Sequence, residues 1–270
     1  MNEENVKYLK DSLLYTGFGD KLNDALVAQI KNQPKDFQLS TQMEYKSGDV
    51  TEKVDYKLDF RKSDTTDMYF FNRYQAELKN EDTTKEKAQT FYINKDFTIT
   101  AKEAFNLLSG RAVNKDMKNK DEQPYNAWLQ LDFSKKDEQG RFEMKRFSEG
   151  YGFNLEAVVN RYPIKELDSN DTRARLLTSL EKGNLQSVTF VKDGKEDKMH
   201  VAANPQFKSL YLYDANMKKV YQGNEKKEQP ENGRPSQGEE KKEKKEVKAK
   251  SGEEEEGATQ KSSSRKRVRA

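Results

Sequence analysis

The sequence predicts an α+β fold, in which antiparallel β-hairpins have helices packed on one side, followed by a disordered C-terminal tail. Apolar residues alternate strictly with charged ones over Val54–Phe60, which is the pattern of a half-buried strand. Elsewhere apolar residues recur every three or four positions, as they do in amphipathic helices. The 14 Phe, 13 Tyr and 1 Trp all lie before residue 222, so we expect the folded part to end near Tyr221.

The first 31 residues predict two short helices. One apolar face belongs to each helix, and the two glycines of Gly17–Asp20 separate them. The apolar positions are Val6, Leu9, Leu13 and Leu14 in the first helix and Leu22, Leu26 and Ile30 in the second. No strand precedes Gly17–Asp20, so this segment is typical of a turn and not of a dinucleotide-binding loop.

Strands and a helix are predicted next. Val54–Phe60 and Met68–Leu78 read as a hairpin about the turn Ser63–Asp67, and Gln89–Ile93 as a further strand. Thr100–Glu103 has the spacing of a capping box, which predicts a helix that Gly110 stops.

Similar elements are predicted in the second half of the chain. A hairpin is predicted about the charged turn Lys135–Gly140, then a helix ended by Pro163, a helix closed by Gly183, and a set of antiparallel strands. The segments are Ala127–Phe133 and Phe142–Met144 for the hairpin, Leu155–Val159 and 171–182 for the helices, and Leu185–Val191, Lys198–Ala202 and Leu210–Tyr213 for the strands.

Two alternatives for the overall organisation stay open. A shift of 73 residues superimposes residues 58–60 on 131–133 and Gly110 on Gly183, which indicates two similar tandem units. The other alternative is one mixed sheet whose strands share similar sequences. With tandem units, the chain divides into a helical hairpin, two β-hairpin/helix units and a disordered charged tail, with the bounds 1–35, 36–112, 113–221 and 222–270.

Surplus charge is confined to the tail. Residues 222–270 contain 14 Lys+Arg and 11 Asp+Glu, whereas residues 1–221 contain 36 of each. The tail ends in a basic cluster, which we expect to give weak, non-specific contact with nucleic acid phosphates. The alternative is a terminus that only solubilises the protein. The cluster consists of Arg265, Lys266, Arg267 and Arg269.

Composition excludes several classes of chemistry. The chain has no Cys, so disulfides, thiolate metal sites and cysteine nucleophiles are impossible. His200 is the only histidine, and the sequence offers it no convergent partners, so we expect a surface or packing role. We therefore predict no catalytic residues, no metal site and no cofactor, and a protein that is not an enzyme.

Two carboxylates, Asp59 and Asp132, are candidates for a catalytic pair. Asp59 and Asp132 occupy matching places in the proposed repeat, and a convergent pair would suit a carboxylate-dependent hydrolase. Both lie on strand positions that alternate with Leu and Phe, so outward, solvated side chains are the favoured interpretation. Ser63–Asp67 could hold a divalent ion, but it lacks the spacing of a calcium loop and is typical of a turn.

An aromatic run offers a second candidate for nucleic acid binding. Tyr69, Phe71 and Arg73 lie close together on a predicted strand, where rings beside an Arg can stack unpaired bases. Consecutive aromatic residues are more often core residues, and we favour that alternative.

Several segments resemble conserved hypothetical proteins of Bacteroides-type conjugative transposons, which contain a domain of unknown function. The segments are Arg61–Asn72, Thr100–Val113, Tyr125–Phe133, Pro163–Leu167, Lys182–Val188 and Ala203–Gln206. A polar tail with a basic end is also typical of that group. The resemblance implies a protein of a mobile element that works in a DNA-processing context, and it implies no catalytic or binding residue.

These observations predict a non-enzymatic accessory protein of a conjugative element that acts near DNA, with a body that binds a protein partner. The alternative is a protein-interaction module, or an inhibitor of a host defence system, with a purely solubilising tail. The N-terminus lacks the pattern of a secretory signal, and no apolar run approaches the roughly 20 residues of a membrane helix, so a cytoplasmic location is expected.

Overall fold

The computed structural model describes residues 2–48, 50–94 and 97–220. The predicted disordered tail, with its basic cluster, lies outside these residues. Within the described residues there are five α-helices, α1 Glu3–Tyr15, α2 Asn23–Asn32, α3 Ala101–Leu108, α4 Leu155–Val159 and α5 Asn170–Glu181. The same part of the chain contains ten strands: β1 Asp36–Ser47, β2 Val50–Lys62, β3 Tyr69–Leu78, β4 Lys87–Tyr92, β5 Val113–Lys118, β6 Pro124–Lys136, β7 Phe142–Ser148, β8 Gln186–Lys192, β9 Lys195–Asn204 and β10 Ser209–Tyr213.

The described strands form three antiparallel sheets, with the orders β1-β2-β3-β4, β5-β6-β7 and β10-β9-β8. The predicted α+β class is therefore confirmed. The predicted hairpins are present as β2–β3 and β6–β7. β1 and β5 were not predicted, and each adds a strand to one of these hairpins. No helix in the described part of the chain is long and apolar enough to cross a membrane.

Helices α1, α2 and α3 pack on one face of the four-stranded sheet and form the first core. The alternation of β2 is retained, because Val54, Tyr56, Leu58 and Phe60 are buried against these helices. The capping box forms as predicted: the Thr100 side chain accepts a hydrogen bond from the Glu103 N–H, and the Glu103 carboxylate accepts one from the Thr100 N–H. The first core also takes in residues of β5 and β6, including Val113 and Leu129.

A second, smaller core lies between α4, α5 and the sheet of β8, β9 and β10. It consists mainly of aliphatic side chains, with Trp128 of β6 contributing its largest ring. β1 begins at Asp36 and β5 at Val113, which are the predicted starts of the two β-hairpin/helix units. β5, β6 and β7, which belong to the predicted second unit, contribute residues to the first core, so the two predicted units share one interior. The internal duplication itself stays a prediction.

A β-bulge decides which aromatic residues of β3 are buried. Phe60 pairs with Phe71, but the adjacent Asp59 pairs with Arg73, so Asn72 is the extra residue of β3. A bulge shifts the alternation of side chains by one position. As a result Phe71 and Tyr74, which are three residues apart, both face the first core.

Candidate functional site

A cleft of about 600 Å³ lies between β4 and the β6–β7 hairpin. Its size is in the range of ligand-binding sites in proteins. β4 is the last strand of the four-stranded sheet, and β7 is the last strand of the β5-β6-β7 sheet. The cleft therefore lies where the edges of two sheets face each other.

One side chain joins these two edges. The Gln89 amide donates from Nε2 to the Phe142 carbonyl over 3.1 Å, and its Oε1 accepts from the Phe142 N–H over 2.9 Å. The Gln89 side-chain amide thereby makes the two hydrogen bonds with Phe142 of β7 that the backbone of a neighbouring strand would otherwise make. The Asn5 amide does the same for Tyr69 at the start of β3, with distances of 2.9 and 2.8 Å.

The floor of the cleft is apolar. It is made by residues of β4, of the segment after β4, and of β6 and β7, namely Phe91, Phe97, Ile99, Leu129, Phe142 and Met144. All of these side chains belong to the first core or pack against it. The floor is thus fixed by the core of the protein, and it offers apolar surface to a ligand.

The rim of the cleft is charged. Arg141 donates to the Asp137 carboxylate over 2.7 Å and to the Tyr92 hydroxyl over 2.9 Å, so it connects the β6–β7 turn to the end of β4. The hydrogen bond to Asp137 raises the pKa of Arg141, which is therefore charged under all ordinary conditions. Tyr92 is 47% exposed and its ring forms part of the lining.

Two further cations of the rim have no carboxylate within ion-pair distance among the described residues. The Lys136 ammonium lies 4.7 Å from the centroid of the Phe142 ring, and Arg146 is exposed on β7. By contrast, both acidic residues of the lining are paired, Asp137 with Arg141 and Glu143 with Lys135 over 3.5 Å. The cleft therefore combines an apolar floor with a net positive rim, although the body of the protein is neutral.

The aromatic candidates for base stacking lie elsewhere. Tyr69 and Phe71 are 1% and 6% exposed and pack in the first core, so neither ring offers a face to a base, and the stacking hypothesis is wrong for them. The Tyr69 hydroxyl also donates to the Pro34 carbonyl over 2.7 Å. Arg73 is on the opposite face of the sheet and donates to Asp59 over 2.7 Å. Core packing, the favoured alternative, describes both rings.

The two compared carboxylates have different environments. Asp59 is partly exposed and accepts hydrogen bonds from Arg73 and Gln38, as expected for an outward side chain. Asp132 is buried, which corrects the prediction that it is solvated. Its carboxylate accepts from the Ser134 hydroxyl over 2.6 Å and lies 3.0 Å from the Lys145 ammonium. These interactions, the hydrogen bond from Ser134 first, lower the pKa of Asp132 to about 2.

The other sequence candidates have local roles. The Ser63 hydroxyl accepts hydrogen bonds from the Thr65 and Thr66 N–H groups, which makes Ser63–Asp67 a turn, as favoured. His200 is half-buried in β9, opposite Ser187 of β8 and Tyr213 of β10. In the described part of the chain, no group of three or more His, Asp or Glu residues is placed to hold a metal ion.

A buried polar cluster connects the ends of α3 and α5. The Arg111 guanidinium donates to the Gly183 carbonyl over 2.9 Å and to the Asn106 side chain over 2.7 Å, and Asn106 in turn donates to the Lys182 carbonyl over 2.7 Å. Burial lowers the pKa of Arg111 to about 10. The Lys182 and Gly183 carbonyls lie at the C-terminal end of α5, so the cluster caps this helix and links it to Asn106 of α3.

Comparisons with protein-family models, with curated proteins and with solved structures found no match to this chain.

Sequence reasoning missed the residues of the cleft because they come from separate parts of the chain, residues 89–94, 97–99, Leu129 and 135–146. The alternation of the β6–β7 hairpin was visible, and the charged turn Lys135–Gly140 was predicted. The position of β4 beside that hairpin depends on the Gln89 contact with Phe142, which has no local sequence signal.

Proposed function

We propose that this protein is a non-catalytic accessory protein of a conjugative element that acts near DNA and binds a protein partner through the cleft between β4 and β7. The observation that carries the proposal is the cleft itself, with its apolar floor, its net positive rim and its position at two sheet edges. Binding sites of proteins combine apolar surface with a few well-placed polar groups in this way.

The resemblance to proteins of Bacteroides-type conjugative transposons supports the cellular context. The basic cluster Arg265, Lys266, Arg267 and Arg269 supports weak attachment to nucleic acid, because clustered cations bind phosphates regardless of base sequence. The folded body has as many acidic as basic residues, so it lacks the overall charge that attracts DNA over long distances.

Affinity purification from cells that carry the element tests the cleft. The full chain, a Tyr92→Ala variant and an Arg146→Glu variant are compared, with Tyr15→Ala and Arg175→Glu as matched controls at exposed positions outside the cleft. We expect a partner that is recovered with the full chain and both controls and lost with both cleft variants. Equal recovery with all five proteins would show that the cleft does not hold the partner.

Salt-dependent binding tests the role of the tail. DNA binding of the full chain is compared with that of a variant in which the four basic residues of Arg265–Arg269 are Ser. If all four cations contact duplex phosphates, log K should fall with log salt with a slope of about −3.6, and the variant should lose this binding. If neither protein binds DNA, the tail is only solubilising and the accessory protein reaches DNA through its partner or not at all.

A further inference from the structure

We propose that the cleft binds an extended protein segment in which one apolar side chain lies between acidic ones; this inference rests on the proposed function and specifies the chemistry of the partner. Three features of the cleft support it: a backbone edge of β4 that no described strand covers, the apolar floor, and two rim cations that have no carboxylate partner among the described residues.

The backbone of β4 is oriented to accept an additional strand. The Ile93 N–H donates to the Asn72 carbonyl over 2.9 Å, so these residues form a hydrogen-bonded pair of the β3–β4 ladder. Such pairs alternate along an antiparallel ladder, which leaves the N–H and C=O groups of Tyr92 and Thr90 pointing away from β3. No strand of the described residues pairs with this edge. An extended segment can therefore add to it by backbone hydrogen bonds.

The floor and rim of the cleft determine which side chains a bound segment should carry. Phe97 is partly buried and, with Ile99 and Met144, offers apolar surface to one side chain. Lys136 and Arg146 line the same cleft and have no ion pair among the described residues, whereas the acids of the lining are already paired. Acidic groups on the segment would therefore meet two available cations, and basic groups would meet uncompensated positive charge.

Selection of phage-displayed random peptides on the full chain tests this chemistry. We expect enriched peptides with Asp or Glu on both sides of an aromatic or aliphatic residue. A Lys136→Glu, Arg146→Glu variant should instead enrich peptides with Lys or Arg at these positions. The matched control Arg175→Glu, Lys192→Glu reverses two exposed cations outside the cleft and should enrich the same acidic peptides as the unmodified chain.

Fluorescence anisotropy then measures the affinity of one enriched peptide. We expect binding to weaken about tenfold or more in the Lys136→Glu, Arg146→Glu variant at low salt, and by less than about twofold in the control variant. The neutral pair Lys136→Gln, Arg146→Gln should give an intermediate loss, and circular dichroism verifies that each variant is folded. Neutral or basic peptides from the unmodified chain, no enrichment at all, or equal affinity for all variants would overturn the inference.

Binding of a labelled oligothymidine tests the main alternative, which is that the cleft binds single-stranded nucleic acid. Binding of this single strand that is lost in the Lys136→Glu, Arg146→Glu variant, without enrichment of acidic peptides, would assign the cleft to nucleic acid and overturn the inference. The proposed function fails separately: if Tyr92→Ala abolishes recovery of a cellular partner while no acidic peptide is enriched, the partner site stands and only its chemistry is wrong.

Discussion

The glycines that end α3 and α5 occupy matching positions in the sequence but differ in their surroundings. Gly110 and Gly183 both adopt positive φ angles, of +84° and +74°, which favour glycine. A Cβ atom at Gly110 would lie 3.5 Å from the Phe133 ring, an ordinary contact. A Cβ atom at Gly183 would lie 2.7 Å from the Ala112 carbonyl oxygen. The shared motif thus specifies the backbone turn, whereas the lack of space at Gly183 comes from tertiary packing.

The β2–β3 and β6–β7 hairpins also have matching sequence positions but differ in which residues lie opposite each other. Asp59 lies directly opposite Arg73 in the β2–β3 hairpin. In the β6–β7 hairpin the residues at the same offset are not opposite each other, because Asp132 pairs with Glu143 and Arg146 pairs with Leu129. Similar sequence therefore produces hairpins of similar type with different side-chain partners, and this difference leaves Arg146 available at the cleft.

The glycine comparison is tested most directly by alanine. Gly183→Ala adds a methyl group where the carbonyl oxygen of Ala112 leaves no space, and it also forces Ala into a left-handed conformation, so we expect a loss of about 3–5 kcal/mol in the free energy of unfolding. Gly110→Ala has only the conformational cost, about 1–2 kcal/mol. Urea unfolding of both variants measures the difference, and equal losses would show that packing at Gly183 relaxes freely.

Arg111→Met tests whether the buried cluster joins the two cores. The substitution leaves the Gly183 carbonyl and the Asn106 side-chain oxygen without their donor, so we expect a loss of about 2–4 kcal/mol. The exposed Arg175→Met is the control and should change stability by less than about 0.5 kcal/mol. A stable Arg111→Met variant would mean that water can replace the guanidinium at this position.

Gln89→Leu tests the link between β4 and β7. The Phe142 N–H and C=O lose their partner, and we expect a loss of about 1–3 kcal/mol together with faster hydrogen exchange at the Phe142 amide. Gln42→Leu is the control, because the Gln42 amide donates only to the Asp55 side chain at the surface. Unchanged exchange at Phe142 would show that another group protects the edge of β7.

The two aspartates give the smallest expected effects. Asp132→Asn weakens buried hydrogen bonds and an ion pair and should cost about 1–2 kcal/mol at pH 7, whereas Asp59→Asn at the half-exposed site should cost less than about 0.5 kcal/mol. Because the folded pKa of Asp132 is lowered to about 2, its contribution is complete above the unfolded pKa of about 3.9 and is lost as pH falls towards 2.

Urea unfolding between pH 2 and pH 7 measures this pH dependence. The difference in stability between the unmodified chain and Asp132→Asn should be constant above about pH 5 and should shrink below pH 4. A difference that grows on acidification would contradict a lowered pKa.

Much of the fold could be predicted because the signals are local. The alternation of β2, the capping box at Thr100–Glu103 and the glycine stops after α3 and α5 each depend on neighbouring residues, and each is present in the structure. β1 also has a local signal, since Phe37, Leu39 and Met43 alternate with polar residues. β5 is short and mostly polar, so its sequence gives little indication of a strand.

The remainder depends on contacts between distant residues. Asp132 is buried beside Lys145 of the neighbouring strand β7, and the buried Arg111 donates to the carbonyl of Gly183, which lies 72 residues further along the chain. At the cleft, β4 is joined to β7 by the Gln89 amide and to the β6–β7 turn by Arg141, which donates to the Tyr92 hydroxyl. No single segment of the sequence contains this information, and the cleft was therefore absent from the prediction.

The extra residue Asn72 determines which side chains of β3 face the helices. On either side of the bulge, residues of opposite parity face the helices, Phe71 before it and Tyr74 after it. If β3 paired with β2 as a regular strand without this bulge, only one of these rings could face the helices and the other would turn towards water. Deletion of Asn72 would place the two rings two residues apart, so a regular strand could then bury both. In this strand, the number of residues between two apolar side chains decides their burial as much as their hydrophobicity does.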